Sequence, residues 1–181
     1  MNPTIRILYA EDNARDTELT RSFFAERAPE FELDIVETGQ ACLERTIKGA
    51  FDLLLLDYRL PDMDGLDVLK TLVHSGCRLP IVMVTGVGDE ELVVKALRLG
   101  AVNYVSKQGN YLESLPDLLR GVIDEHRRKV SQGLLTAAVR RVLYVEHDPM
   151  DIDLTVHHFA DAAPHFVVEV VKSCTEALSR L

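Results

Sequence analysis

The sequence lacks tryptophan, has only three cysteines and contains no long apolar run, and the last two shortages each exclude a class of protein. The cysteines are an odd and scattered set without a CxxC motif, Cys42, Cys77 and Cys174, so a disulfide scaffold is excluded. No stretch approaches about 18 consecutive apolar residues, so no membrane-spanning helix is expected. The N-terminus passes into acidic residues without the apolar region of a signal peptide. These features predict a reduced, soluble, cytoplasmic protein.

Basic side chains are in the minority. Among 181 residues, 20 Lys and Arg face 29 Asp and Glu, which gives a net charge of −9. Such a surface repels phosphate backbones, so sequence-independent binding to nucleic acid is not expected. The composition, 47% hydrophobic and 27% charged, is that of an ordinary globular protein. At about 100–200 residues per domain, the length allows one full domain with an addition, or two small domains.

Short apolar runs alternate with longer amphipathic segments over the first 131 residues. The runs predict strands at Ile5–Ala10, Glu32–Val36, Asp52–Asp57, Pro80–Thr85 and Ala101–Val105. The segments between and after them predict helices at roughly 14–28, 39–49, 64–75, 88–99 and 111–131. Strands that alternate with helices form parallel βαβ units, with helices on both faces of the sheet. We therefore expect an α/β fold with a doubly wound, five-stranded parallel sheet.

The chain repeats itself after an offset of 135 residues. The segment RVLYVEHDPMDIDLT aligns without gaps beneath RILYAEDNARDTELT, as expected for duplicated structural units. Identical pairs include Tyr9 and Tyr144, Glu11 and Glu146, Asp16 and Asp151, and Thr20 and Thr155. The second copy stops after two strands and part of a second helix, too little to bury a doubly wound sheet alone. Either the polypeptide is cut from a longer one, which we favour, or the half-domain docks on the first domain or exchanges strands in a homodimer.

The repeat sets the predicted domain boundaries. We expect a first domain at 1–131, a helical connector at 132–139, and the incomplete N-terminal part of a second copy at 140–181. In that copy, His147 stands opposite Asp12, and an imidazole is a poor ligand for Mg²⁺. We therefore predict that the metal site of the second copy is degenerate.

Polar residues fall where the predicted strands end. They are Glu11 and Asp12 at the end of the first strand, Asp57 at the end of the third, Thr85 at the end of the fourth, and Ser106 and Lys107 after the fifth. In an open parallel sheet these ends line the functional crevice. Converging carboxylates need a cation, and an oxygen-only ligand set suits Mg²⁺. The pattern predicts metal-assisted phosphoryl transfer with one carboxylate as the nucleophile.

Four segments of the chain resemble the receiver domains of two-component response regulators: LYAEDN, LLLLDYRLPDMDGLDVL, VMVTG and GAVNYVSK. The resemblance covers residues 4–130 and returns in truncated form from about residue 140. It implies the flavodoxin-like strand order 2-1-3-4-5. It also implies a phosphoacceptor signalling domain, not an enzyme beyond its own phosphotransfer and dephosphorylation, that acts on an effector domain outside this chain.

The resemblance also implies a role for each site residue. Asp57 would accept a phosphoryl group from a histidine kinase or a phosphotransfer protein. The implied Mg²⁺ ligands are Glu11, Asp12, Asp57 and the backbone carbonyl of Arg59. Lys107 would bind a phosphoryl oxygen, and Thr85 and Tyr104 would form the switch pair. The glycine-containing loop TGVGDEE is suited to move with Thr85.

One position departs from the family pattern. Gln108 follows Lys107, where the family usually has proline. A cis peptide is not expected there, because a non-proline cis bond costs about 2.5–4 kcal/mol. The shape of loop 107–110 is therefore open.

Two alternatives to a phosphorylated switch remain. The chain could be a receiver-like scaffold or adaptor that is never phosphorylated, although the intact acidic set argues against it. It could also be a phosphohydrolase, since Asp62 and Asp64 form a weak DxD signature. Against that enzyme, Arg59 stands where its chemistry needs a second acid. Affinity for Mg²⁺ separates the switch from the adaptor, and multiple turnovers would identify the hydrolase.

Overall fold

Strands and helices alternate along the first part of the chain as the hydrophobic pattern predicts. The elements are β1 (Ile5–Ala10), α1 (Ala14–Arg27), β2 (Phe31–Val36), α2 (Gly39–Lys48), β3 (Leu53–Asp57), α3 (Gly65–His74), β4 (Ile81–Thr85), α4 (Glu90–Leu99), β5 (Asn103–Ser106) and α5 (Tyr111–Ser131). The computed structural model describes residues 4–86, 90–132, 140–162 and 166–178. Its chain divides into two units, Met1–Leu135 and Thr136–Leu181.

All five strands of the first unit are parallel, in the order β2-β1-β3-β4-β5. The predicted α/β fold and strand order are confirmed. The register pairs Ala10 with Leu56, Asp57 with Val84, and Thr85 with Ser106. The carboxyl ends of β1, β3, β4 and β5 therefore lie side by side at one edge of the sheet.

Both faces of the sheet are buried under helices. One face packs against α2, α3 and α4 through a cluster that includes Leu8, Leu54 and Met83. The other packs against α1 and α5 through a cluster that includes Ile7 and Tyr9. The run Leu53–Leu56 has no accessible surface, which explains why it is apolar without alternation. Each such leucine stabilises the fold by about 1.5–3 kcal/mol.

The turn from β3 to α3 holds a glycine against the end of β3. Gly65 donates its N–H to the carbonyl of Tyr58 at 2.7 Å. A Cβ atom on Gly65 would lie 2.3 Å from the carbonyl oxygen of Asp57. Glycine is therefore required by close backbone approach, and the strand end that carries Asp57 depends on it.

The two carboxylates of the PDMDG turn cap helices. Asp62 accepts hydrogen bonds from the N–H groups of Gly39 (2.7 Å) and Gln40 (2.9 Å) at the start of α2. Asp64 is the N-cap of α3 and accepts from the N–H of Asp67 at 2.9 Å. The backbone hydrogen bonds at the start of α2 lower the pKa of Asp62. These contacts give the DxD pair a structural role.

The second unit contains a small separate sheet. Its elements are β6 (Arg140–Val145), α6 (Pro149–Ala162), β7 (Phe166–Val171) and α7 (Cys174–Leu178), and β6 pairs with β7 in parallel. This two-stranded sheet does not by itself show the truncated receiver copy that the repeat predicts. The unit division falls between Leu135 and Thr136. Most of the predicted connector, 133–139, lies outside the described residues.

No helix within the described ranges is long and apolar enough to cross a membrane. The composition-based location in the cytoplasm stays a prediction.

Replacing Gly65 by alanine should destabilise the first unit by about 1–3 kcal/mol, because the new methyl group meets backbone that cannot move aside. Gly121→Ala is the matched control. Nothing lies within 4 Å of a Cβ there, and the exposed glycine lies inside α5, so this change should stabilise by about 0.5–1 kcal/mol. Urea unfolding followed by circular dichroism measures both. Equal behaviour of the two variants would contradict the close approach.

Replacing Asp62 by alanine should lower the Tm at pH 7 by roughly 2–4 °C, because two N–H groups of α2 lose their acceptor. The pKa of Asp62 is lower in the folded than in the unfolded protein, so its stabilisation is present above the unfolded pKa. It is lost as the pH falls through the folded pKa. The Tm difference from the parent should therefore shrink from about pH 4 downward. Asp124→Ala, which removes an exposed carboxylate, is the control; a pH-independent difference for Asp62→Ala would refute the cap.

Candidate functional site

A cleft of about 510 Å³ opens at the carboxyl ends of β1, β3, β4 and β5. Its lining contains most of the predicted site residues: Glu11, Asp12, Asp57, Arg59, Thr85 and Lys107, together with Asn13, Asp16 and Gly86. Three of the polar side chains belong to buried residues, since Glu11 and Thr85 are 1% exposed and Asp57 is 5% exposed. Asp12 is exposed at the mouth. The structure therefore brings together the groups that the strand ends predict.

Lys107 forms ion pairs with three carboxylates. Its Nζ lies 2.9 Å from Oδ1 of Asp57 and 3.0 Å from Oδ2 of Asp16, and it also donates to Oε2 of Glu11. The lysine side chain is only 10% exposed. Burial lowers the pKa of Lys107, but the hydrogen bond to Glu11 and the charge of Asp57 outweigh it and raise that pKa above its usual value. Lys107 therefore stays an ammonium cation in the cleft.

Glu11 is held by donors on both of its oxygens. The Tyr9 hydroxyl donates to Oε2 at 3.0 Å, and the N–H of Asn13 donates to Oε1 at 3.1 Å. Burial raises the pKa of Glu11, while the hydrogen bond and charge of Lys107 oppose that rise. Asn13 also caps α1 with its side chain, so the start of that helix and the Glu11 carboxylate are fixed together.

Asp57 is the last residue of β3 and presents both carboxylate oxygens to defined donors. The N–H of Arg59 donates to Oδ2 at 2.7 Å, while Oδ1 faces Lys107. The residue therefore has a fixed orientation at the floor of the cleft. Its backbone carbonyl lies against Gly65, where a Cβ atom would not fit.

Three carboxylates are grouped closely enough for a shared cation. One oxygen each from Glu11, Asp12 and Asp57 lies within 4.8 Å of the others. An oxygen-only set of this size, with room for water at an exposed side, fits the coordination of Mg²⁺. Arg59 lines the same cleft; the role of its backbone carbonyl as a ligand stays a prediction.

The predicted switch residues lie on β4 and β5. Thr85 ends β4 at the cleft, and its backbone carbonyl accepts from the N–H of Lys107 at 2.8 Å. Tyr104 is half-buried in β5 and packs against the apolar cluster that includes Leu92 and Ala96 of α4. Residues 87–89 of the loop after Thr85 lie outside the described residues. The motion of this pair stays a prediction.

The loop after Lys107 is built without a cis peptide. Every described peptide bond is trans, as expected from Gln108. Gly109 adopts a φ of 58°, in the left-handed region that favours glycine. The loop thus turns into α5 through a glycine, without the proline that usually follows the lysine.

Two residues of the site escaped the sequence reasoning. Asp16, in the first turn of α1, reaches Lys107, and Tyr9, an apolar-strand residue by pattern, reaches Glu11. A signal for both was present, since Asp16 recurs as Asp151 and Tyr9 as Tyr144 in the repeat. Identity between the copies marked these positions, although strand-end reasoning did not.

Comparisons with known proteins agree with this geometry. Residues 7–117 match the family model described as the response regulator receiver domain. The regulatory protein LuxO of Vibrio cholerae is 34% identical over 122 residues, 67% of this chain and 25% of that protein. The transcriptional regulatory protein CusR of Escherichia coli is 30% identical over 144 residues, 76% of this chain and 63% of that protein. The matched stretch thus spans less than two thirds of either relative.

A solved structure shows the same arrangement of strands and helices. The CheY-like response regulator receiver domain protein of Methanospirillum hungatei superposes with a TM-score of 0.62 at 27% identity. The match covers 69% of this chain and 98% of that one. A complete domain of that kind therefore fits within this chain.

Removing the positive charge of Lys107 from the cleft should destabilise the first unit. We expect Lys107→Met to cost about 3–5 kcal/mol in the absence of divalent ions, because Glu11, Asp16 and Asp57 then repel one another in a largely buried place. Added Mg²⁺ should recover part of that loss, since it binds only the folded site. Urea unfolding with and without Mg²⁺ measures the effect.

Lys70→Met, which removes an exposed lysine of α3, serves as the control and should change stability little. If Lys107→Met unfolds at the same urea concentration as the parent, with no dependence on Mg²⁺, the ion cluster has no structural role.

Proposed function

The chain belongs to the response regulator receiver domain family, and on this premise we propose that Asp57 accepts a phosphoryl group with the help of Mg²⁺ and thereby switches a partner-binding face. The matched relatives are two-component response regulators. The proposed donor is a histidine kinase or a phosphotransfer protein. The proposed receiver of the signal is an effector domain outside this chain.

One observation supports the proposal above all others. The ammonium of Lys107 lies 2.9 Å from Oδ1 of Asp57 in a cleft whose other charged lining groups include Glu11 and Asp12. A buried lysine beside the reacting carboxylate can bind an anionic oxygen of the incoming group. The adjacent acids supply the ligands for a divalent ion. A scaffold without phosphoryl chemistry needs neither feature.

The proposed reaction is a displacement at phosphorus. A carboxylate oxygen of Asp57 forms the new P–O bond, while the P–N bond to the donor histidine breaks and the imidazole leaves. When bound, Mg²⁺ neutralises the carboxylates and a phosphoryl oxygen. Lys107 neutralises a second oxygen, and the Arg59 N–H holds Asp57 in the orientation seen here. In the later hydrolysis, water attacks phosphorus, the P–O bond to Asp57 breaks and inorganic phosphate leaves. The chain carries out both steps on its own Asp57, so we do not class it as a turnover enzyme.

The proposed switch links this site to β5 and α4. A phosphoryl group brings about −1.5 to −2 charges and three acceptor oxygens at pH 7. Thr85 lines the cleft, and we propose that its hydroxyl donates to a phosphoryl oxygen. Tyr104 packs beside α4, and a change in its packing would alter the surface formed by α4, β5 and α5.

We extend the proposal to the second unit, which we interpret as the N-terminal part of a second receiver-like copy. Its β6-α6-β7-α7 order and parallel pairing match those of the first four elements of the chain. Asp148 accepts from the N–H of Met150 at 2.8 Å, just as Asn13 accepts from Arg15 at 2.9 Å. His147 in place of Asp12 argues for a copy that does not hold Mg²⁺.

Incubation with acetyl phosphate and Mg²⁺ should add one phosphoryl group to the parent chain and none to Asp57→Asn. Intact mass spectrometry measures the label. Asp62→Asn is the matched control, because it removes another carboxylate of the same turn and keeps an oxygen that can cap α2. That variant should be labelled like the parent.

The same experiment separates the competing functions. A chain that takes no label, and shows no chemical-shift response to beryllofluoride with Mg²⁺, is a receiver-like adaptor. A chain that hydrolyses small phosphoesters through many turnovers is a phosphohydrolase. Label that persists in Asp57→Asn would place the acceptor elsewhere.

A further inference from the structure

Tyr9 carries a hydroxyl group that core packing does not explain. The residue is 1% exposed in β1 and packs in the cluster beneath α1 and α5. A phenylalanine would fill the same apolar space, and it would avoid the cost of burying a polar group. The hydroxyl instead donates to Oε2 of Glu11 at 3.0 Å. Its partner is therefore a carboxylate of the proposed metal site, reached from the core side of the sheet.

This bond completes the fixation of Glu11. Oε1 accepts from the N–H of Asn13 at 3.1 Å, and Oε2 accepts from Tyr9 and from Lys107. The lysine is a mobile partner in the proposed reaction, because it must also bind a phosphoryl oxygen. Tyr9 lies on a buried strand and has no part in binding the phosphoryl group in the proposed reaction. When Lys107 turns toward another anion, Tyr9 is the donor left on Oε2.

The Tyr9 hydroxyl donates to a carboxylate, and such a bond is charge-assisted and stronger than one between neutral groups.

The surroundings of the hydroxyl recur in the repeat. Thr20 is fully buried near Tyr9, and its hydroxyl makes no well-formed hydrogen bond among the described residues. At the equivalent positions 135 residues later, Thr155 donates to the hydroxyl of Tyr144 at 3.3 Å. The tyrosine and threonine are thus retained together in both units, as is the glutamate that follows each tyrosine by two residues.

We propose that Tyr9 is a positioning residue of the metal site, which holds the Glu11 carboxylate from the core side so that it can serve a divalent cation. Tyr9 touches neither the cation nor the phosphoryl group and acts through Glu11. The inference rests on the proposed function, because it requires that Glu11 take part in binding Mg²⁺.

The test compares Tyr9→Phe with Tyr144→Phe in the full chain. Tyr9→Phe keeps the ring and removes one hydrogen bond, so it should weaken Mg²⁺ binding about 3- to 10-fold. Tyr144→Phe makes the same change at the equivalent position of the second unit and should bind Mg²⁺ like the parent. Isothermal titration calorimetry gives the Kd for Mg²⁺, and urea unfolding without Mg²⁺ reports any loss of stability separately.

A measurement on the parent chain keeps the proposal falsifiable if Tyr9→Phe does not fold. Tyrosine ring carbons labelled with ¹³C should show a shift of the Tyr9 Cζ resonance as Mg²⁺ saturates the site, with no shift of Tyr144. Unchanged Mg²⁺ affinity in a folded Tyr9→Phe, or a Tyr9 resonance that ignores saturation, would overturn the positioning role alone. A parent chain that binds no Mg²⁺ would overturn the proposed function, and the positioning role with it.

Discussion

The ion cluster around Lys107 is the constraint on which the site depends. Glu11 and Asp57 are almost fully buried, and carboxylates in such a place are costly unless a cation or several donors accompany them. Lys107 supplies the charge from beyond β5, the edge strand of the sheet. Because β4 and β3 separate β5 from β1, neighbouring strands being about 4.8 Å apart, only a long side chain can reach both carboxylates. The strand order therefore sets the distance that the side chain must span, and lysine is long enough to span it.

The backbone around the cleft is built to hold these charges in place. Gly65 lets α3 begin directly against the end of β3, and the N–H of Arg59 aligns the Asp57 carboxylate. Just after β1, the Tyr9 hydroxyl and the N–H of Asn13 donate to the two oxygens of Glu11. These donors carry no net charge, so they orient the acids without neutralising them. We therefore expect this orientation to persist when a cation or an anion enters, and the pairing of Lys107 to change.

The fold could be predicted from the alternation of apolar runs and amphipathic segments, and the centre of the site from the residues at the strand ends. Apolar runs located the strands, and parallel strands bring Glu11, Asp57 and Lys107 to one edge without further information. Asp16 and Tyr9 could not be found in that way. Asp16 enters the cleft because α1 starts there. Tyr9 reaches the site because side chains two residues apart in extended chain point to the same face, which brings its hydroxyl to the Glu11 carboxylate. The caps made by Asp62 and Asp64 were missed for the same reason, since they depend on where two helices begin.

The charge balance of the cleft offers a route by which the proposed phosphorylation would alter a distant surface. Four acidic residues and two basic residues, Arg59 and Lys107, line the cleft, so its lining carries excess negative charge and favours a divalent cation. In the proposed phosphorylated state, the phosphoryl oxygens compete with Glu11 and Asp16 for Lys107, because its three N–H donors are already engaged. The backbone N–H of Lys107 donates to the carbonyl of Thr85, and Tyr104 of β5 precedes Lys107 by three residues. We therefore propose that a change in the partners of this one lysine acts on the end of β4, on β5 and on the Tyr104 ring packed beside α4. Electrostatic exchange at the cleft would in this way be coupled to packing between β5 and α4.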